Sequence, residues 1–361
     1  MKIGIPKEIL DSEYRVGLNP NSVLALVGAG HKVFIQTEAG LGSGYSDENY
    51  LKVGAQVLPS AEEVFGIADL IIKVKQPLAS DLKYLESRHI LFTYLHLAAN
   101  PELAKDLCKI GLCAYAYETV ELTSSSFSHK ILPALLPMSE IAGRMSVQVG
   151  AHFLEKAQGG RGVLLSGVPG VQKGKVIILG GGTAGTQAAR QAIGLGAEVV
   201  IFEKNPLRIR ELDQLFGQNA HVLNSDLNLI AEQAETADLI IGAVLIPGMR
   251  PPILLKEKTI QKMQAGSVVL DIAIDQGGCI ETIRPTKHSE PTYIKHSVLH
   301  YGVTNMPGAV PRTSTVALNN ATLPYILELA ATGATNQNLH GGLNIKGSEI
   351  VQAEVKKAVL G

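Results

Sequence analysis

At roughly 150 residues per domain, the 361 residues point to two domains, each long enough to bury its own core. A hydrophobic fraction of 46% against 18% charged residues, with positive mean hydropathy, excludes a disordered or fibrous chain. Thirty-two basic and 33 acidic residues leave a net charge of −1, which excludes the broad basic field that draws proteins to nucleic acid or anionic membranes; small molecules are the expected partners. Cys108, Cys113 and Cys279 form neither a disulfide framework nor a metal pair, so no metal site is expected and a reducing cytoplasm fits best. The opening residues read as a strand and not as a signal peptide, and no apolar run reaches the roughly 20 residues that cross a bilayer.

Along the chain, short β-branched runs alternate with amphipathic stretches. Strands are predicted at 2–5, 31–37, 69–74, 89–97 and 112–119, with helices at 21–28, 47–54, 61–68 and 101–110. Residues 122–129 lack any period and read as a surface loop at a boundary. A helix follows at 138–157, with Ser139 as its N-cap. A second series then places strands at 176–179, 198–202, 221–223, 239–243 and 268–272, and helices return at 315–331 and 349–359. The fold class expected is α/β, with two Rossmann-like domains and mainly parallel doubly wound sheets. The final 50 or so residues are too few for a domain of their own and are expected to pack back on the first, making it discontinuous: 1–133 with 312–361, and 134–311.

The strongest chemical signal is the buried strand Val176 to Leu179 running into Gly180-Gly181-Gly182-Thr183-Ala184-Gly185 and then a helix. In this G-x-G-x-x-G, Gly180 permits the tight turn, Gly182 lets the backbone approach a pyrophosphate, and Gly185 lets helix and strand pack closely. The next strand ends at Glu203, placed to accept hydrogen bonds from an adenosine ribose, and a carboxylate there favours NAD over NADP. Lys204 and Arg208 lie close by in sequence. In the first half, Lys73 and Lys75 share one face of a strand 71–75, Tyr94 and His96 share one face of a strand 90–97, and Arg15 follows the first strand. Together they would offer cations and an acid–base group at strand ends, although each alone also reads as a surface or satisfied core residue. In 268–278 either Asp271 or Asp275 could face a cleft, or both could cap the following loop.

Several strings occur together and in order: Gly4-Ile5-Pro6-Lys7-Glu8, Glu13-Tyr14-Arg15-Val16, Lys73-Val74-Lys75-Gln76-Pro77, Tyr94-Leu95-His96-Leu97-Ala98, Pro137-Met138-Ser139-Glu140, the glycines of 180–185, residues 271–278 and Asn305-Met306-Pro307. Over almost the whole chain the sequence resembles the alanine dehydrogenase and pyridine nucleotide transhydrogenase family. The resemblance implies NAD-dependent, reversible oxidative deamination of L-alanine to pyruvate and ammonium in a homo-oligomer, a hexamer. It implies that His96 and Asp275 are the catalytic pair and that Arg15 and Lys75 bind substrate, with Tyr94, Met138 and Asn305 lining the pocket. For NAD it implies contacts from Ser139, Thr183, Ala184, Glu203 and Arg208, and from Ser225, Val244 and Leu245. Ile272, Ala273, Ile274 and Asp275, then Arg284, and finally Val303, Thr304, Asn305 and Met306 complete that set. Glu203 stands where the family more often has aspartate, Gly181 where it more often has alanine, and the segment near Ser124 to Lys130 is lengthened. The family also contains the soluble NAD-binding component of a proton-translocating transhydrogenase, which needs no amino-acid clamp; Arg15, Lys75 and His96 favour the dehydrogenase. A saccharopine-type dehydrogenase and an NAD-sensing module are the remaining alternatives.

Overall fold

The computed structural model describes residues 1–122, 131–245, 251–335, 339 and 341–360; most of the predicted loop at 122–129 lies outside them. The chain divides into two compact units, Met1–Met138 with Gly308–Gly361, and Ser139–Pro307. In chain order the strands are β1 (Lys2–Ile5), β2 (Lys32–Gln36), β3 (Gln56–Leu58), β4 (Leu70–Ile72), β5 (Ile90–Thr93) and β6 (Cys113–Ala116). The second unit adds β7 (Lys175–Leu179), β8 (Glu198–Glu203), β9 (His221–Asn224), β10 (Leu239–Gly242), β11 (Val268–Asp271), β12 (Thr292–Lys295) and β13 (Val298–Tyr301). The tail contributes β14 (Leu343–Lys346) and β15 (Glu349–Ile350).

The first unit is an eight-stranded sheet in the order β15-β14-β6-β5-β4-β1-β2-β3, parallel from β6 to β3. β14 returns antiparallel beside β6, which makes this unit discontinuous as expected. The second is a seven-stranded sheet, β12-β13-β11-β10-β7-β8-β9, parallel except for β12. Sequences such as Val-Ile-Ile-Leu and Leu-Ile-Ile-Gly are continuously apolar because a parallel strand is covered on both faces. Phe65, Ile71, Leu91 and Leu107 anchor one core, and Ile177, Phe202, Ile240 and Val269 the other.

Several elements differ from expectation, each for a local reason. β5 stops at Thr93 and not at Leu97, because Glu118 accepts the N–H groups of Leu95 and His96 and withdraws them from the ladder. β4 stops at Ile72 because Glu8 takes the N–H of Val74. Ser139 is no N-cap: the helix Leu136–Phe153 starts earlier, with Pro137 in the first turn, where its missing N–H costs nothing. Residues 349–350 form a strand, because Gly347 at φ +61° turns the chain back on β14; only Ala353–Leu360 is helical. Among the described residues no helix is long and apolar enough to cross a membrane.

Candidate active site and nucleotide site

In the first unit the parallel strands β6, β5, β4 and β1 lie side by side, so the loops leaving their carboxyl ends share one edge. Those loops carry Arg15, Lys75, Tyr94 and His96. The structure thus brings these four candidates to one edge of this unit, joined by Met138, whose Sδ accepts a hydrogen bond from Arg15 Nη1 at 3.2 Å.

Arg15 is 2% exposed, and its Nε and Nη2 donate to both carboxylate oxygens of Glu13 at 2.6 and 2.5 Å. Burial opposes the guanidinium charge, but the hydrogen bonding and charge of Glu13 outweigh it and raise the Arg15 pKa. A bidentate brace of this kind fixes the plane of the fork and leaves its outer edge geometrically defined. Tyr94 donates its hydroxyl to Ala134 O at 2.6 Å, and burial pushes its pKa upward. Its ring stacks on that of His96 with centroids 5.8 Å apart and planes 4° from parallel. His96 stands in the left-handed region at φ +51°, with its side chain 37% exposed. Two buried polar atoms in these loops, Gln76 Oε1 and the Tyr117 hydroxyl, have no hydrogen-bond partner among the described residues, a feature common where a polar ligand completes the set.

Lys73 and Lys75 part company. Lys73 is buried and lies 3.1 Å from Glu8 and 3.4 Å from Asp81; burial works against its charge, yet the two carboxylates hold its pKa above the ordinary value. It is a structural counter-ion and not a candidate ligand contact. Lys75 is half-buried, and its backbone is tied by Thr93 Oγ1 to Lys75 O at 2.9 Å.

In the second unit the loops after β7, β8, β9, β10, β11 and β13 likewise leave one edge; these loops, with the end of β8 and the first turns of the helices Thr183–Gly194 and Pro206–Phe216, carry the nucleotide candidates other than Ser139 and Arg284. The chain moves outward from β7 to β9 and then returns to β10 on the other side, which makes the β7–β10 junction the topological switch point. Gly180 sits there at φ +102°, where a Cβ would stand 2.8 Å from Ala243 O. A Cβ on Gly182 would meet nothing within 4 Å, so its face is open to an approaching group. One on Gly185 would collide with Gly180 O. The helix Thr183–Gly194 starts directly after Gly182, and its first N–H groups lack intrahelical acceptors by geometry, which suits an anion.

Glu203 Oε2 accepts Gly181 N–H at 2.9 Å, and Oε1 accepts those of Lys204 and Asn205 at 2.8 and 2.9 Å. Arg208 closes the other side, donating from Nε to Gly181 O and from Nη2 to Thr186 Oγ1, both at 2.8 Å. Ser225 is anchored through its N–H to Glu203 O at 3.0 Å, while Val244 and Leu245 follow β10. A Cβ at Gly181 would collide with Leu212 Cδ1 and lie 3.1 Å from Glu203 Oε2, so the long acid and the missing methyl share one space. Gly181→Ala is therefore expected to destabilise the second unit by an overpacking cost of about 1–3 kcal/mol, read as a lower urea midpoint. Adding Glu203→Asp relieves the Glu203 contact but not the closer Leu212 one and should recover only part of that loss; equal urea midpoints for the single variant and the parent would dismiss the overpacking.

The acids after β11 also separate. Asp271 is buried and caps the loop, accepting Ala273 N–H at 3.0 Å and Cys279 N–H at 2.7 Å; burial raises its pKa. Asp275 is exposed in the 3-10 turn Ile274–Gln276, with Ile272 and Ala273 just before it. Arg284 lies over the Tyr293 ring at 4.3 Å. Asn305, between Thr304 and the buried Met306 and after the buried Val303, holds φ +61° and accepts from His288 Nε2 at 3.2 Å through its carbonyl. Ser139 lies in the first turns of its helix, where Gly143 is so close to Ala184 O that a Cβ there would collide. Sequence reasoning gave no role to Gly143 or to the bracing acids Glu8, Glu13 and Glu118; only Glu13, two residues from Arg15, carried a local signal, while Glu8 and Glu118 reach Lys73 and His96 across 65 and 22 residues.

Against known proteins, the profile described as alanine dehydrogenase/PNT, N-terminal domain, matches residues 4–142, and the corresponding C-terminal domain matches 146–353. Alanine dehydrogenase 2 of Staphylococcus aureus (strain USA300) is 52% identical over 364 residues, covering 99% of this chain and 96% of its own. A solved L-alanine dehydrogenase superposes with TM-score 0.95 at 52% identity, covering 99% of both chains. A transhydrogenase from Sinorhizobium meliloti does so with TM-score 0.84 at 25% identity, covering 98% of this chain and 99% of its own.

Proposed function

Because the chain belongs to the alanine dehydrogenase/PNT family, we propose that it catalyses the reversible oxidative deamination of L-alanine: alanine, NAD⁺ and water give pyruvate, ammonium, NADH and a proton. The observation that supports this best is the gathering of Arg15, Lys75, Tyr94 and His96 at one sheet edge, a pair of cations beside an acid–base group. Arg15, with its fork held by Glu13, takes the substrate carboxylate. Lys75 holds the carboxylate and stabilises negative charge growing on the carbonyl oxygen. His96 moves the proton to and from the oxygen of the carbinolamine, and Asp275 orients the water or ammonia. Tyr94, Met138 and Asn305 line the substrate space.

Bound nicotinamide supplies the hydride acceptor. The N–H groups of Gly182, Thr183 and Ala184 would hold the pyrophosphate, and Glu203 the adenosine ribose, which its negative charge reserves for NAD over NADP. Arg208, Ser225, Val244 and Leu245 would flank the adenosine half. Ser139, the 272–275 turn, Arg284 and the 303–306 segment would flank the nicotinamide half. We assign 1–133 with 312–361 to substrate and catalysis and 134–311 to NAD. We also assign the assembly as a cytoplasmic hexamer, which light scattering of the purified protein tests.

The direct experiment follows absorbance of reduced nicotinamide with NAD and L-alanine, D-alanine, glycine, serine or lysine, and the reverse with pyruvate, ammonium and NADH. Turnover confined to L-alanine and weak with NADP is the expected result. Tight NADH binding with no amino acid oxidised would hand the site to the transhydrogenase-component reading.

A further inference from the structure

The left-handed backbone of His96 has an identifiable cause. Non-glycine residues at positive φ are uncommon and persist only where neighbouring groups hold them there. Three contacts surround this one: Glu118 Oε1 accepts the His96 N–H at 2.6 Å, Glu118 shares the Leu95 N–H between its two oxygens at 3.2 and 3.3 Å, and Asn100 Nδ2 donates to His96 O at 3.1 Å. Glu118 lies in the 3-10 turn Tyr117–Thr119 after the neighbouring strand β6, so the β5–β6 pairing brings its carboxylate to the end of β5. Its Oε1 is 4.0 Å from His96 Nδ1, beyond hydrogen-bond reach. The acid therefore grips the backbone that carries the imidazole and not the imidazole itself. The turn it creates also sets the ring parallel to Tyr94.

We propose that Glu118 is a positioning residue, which fixes the left-handed turn at His96 and thereby aims the imidazole at the substrate. The inference rests on the acid–base role given to His96 above. It differs from a simple loop-stabilising role in one respect: its effect passes through the imidazole and vanishes when the imidazole is gone.

Glu118→Gln keeps a carboxamide oxygen in reach of both N–H groups and loses the charge. Glu118→Asp keeps the charge and withdraws the acceptor by one methylene. Misplacement of a reacting group by about 1 Å costs roughly 100-fold, so kcat for alanine oxidation should fall roughly 10- to 100-fold in Glu118→Asp and by less than about threefold in Glu118→Gln. NADH binding should be unchanged in both. In the His96→Ala background, Glu118→Asp should add no further loss, the non-additivity expected of residues acting as a unit. A Glu118→Asp variant as active as the parent, one more active than Glu118→Gln, or a loss that persists undiminished in His96→Ala would each overturn the proposal. An active His96→Ala enzyme would instead overturn the reading of His96, so the two failures are told apart.

Discussion

Alanine in place of His96 is expected to lower turnover about 10²- to 10⁴-fold, the range for losing a positioned general acid–base group, while NADH titrates as in the parent. The structure makes this variant a clean probe. The imidazole is over one-third exposed and stacks on Tyr94, so its removal opens no core cavity, and the nucleotide candidates lie on the other unit's sheet. The backbone is the one complication, since alanine is less at ease than histidine at φ +51°. His96→Asn addresses it, because asparagine visits the left-handed region readily and still lacks the proton-transfer group. Both variants should lose turnover together. Retention of near-parental kcat by His96→Asn would end the acid–base assignment; loss in His96→Ala alone would reduce it to an effect of the turn.

What could be read in the sequence was what local backbone chemistry dictates. The alternation of strands and helices survives because apolar runs such as Val176 to Leu179 can be buried only in a sheet covered on both faces. The glycines of 180–185 were legible one by one, because each answers a different local steric demand. The β12–β13 hairpin escaped notice because its turn is made by His296 and Ser297 at φ +53° and +61°, without the Asn or Gly that advertises such turns. The site was legible only in outline. Lys75 and His96 stand just past strand ends, and Glu118 reaches His96 only because β6 lies beside β5, whereas Glu13 lies two residues from the Arg15 it braces. Asp271 and Asp275 differ by one short turn in sequence, and only the fold separates a buried loop cap from an exposed carboxylate.

The same difficulty arises with Lys73 and Lys75, two residues apart, and here it yields the largest expected loss of stability. Lys73 is enclosed with Glu8 and Asp81, and Glu8 also holds the N–H of Val74 at 2.6 Å and that of Lys75 at 3.4 Å. Lys73→Met leaves two buried carboxylates without their cation, and breaking a buried ion pair from one side costs about 3–5 kcal/mol. Because Glu8 then loses the charge that fixes it, the backbone presenting Lys75 should loosen as well. Lys75→Met removes a half-buried side chain and should leave urea unfolding near the parent's while raising KM for alanine and lowering kcat. Combining Lys73→Met with Glu8→Gln and Asp81→Asn should restore part of the stability, since the carboxamides keep hydrogen-bonding groups without stranded charge. Urea midpoints and alanine kinetics on the three proteins separate the roles. If Lys73→Met unfolds at the parental midpoint, or Lys75→Met is the variant that falls apart, then the buried counter-ion and the substrate contact have been assigned to the wrong lysines.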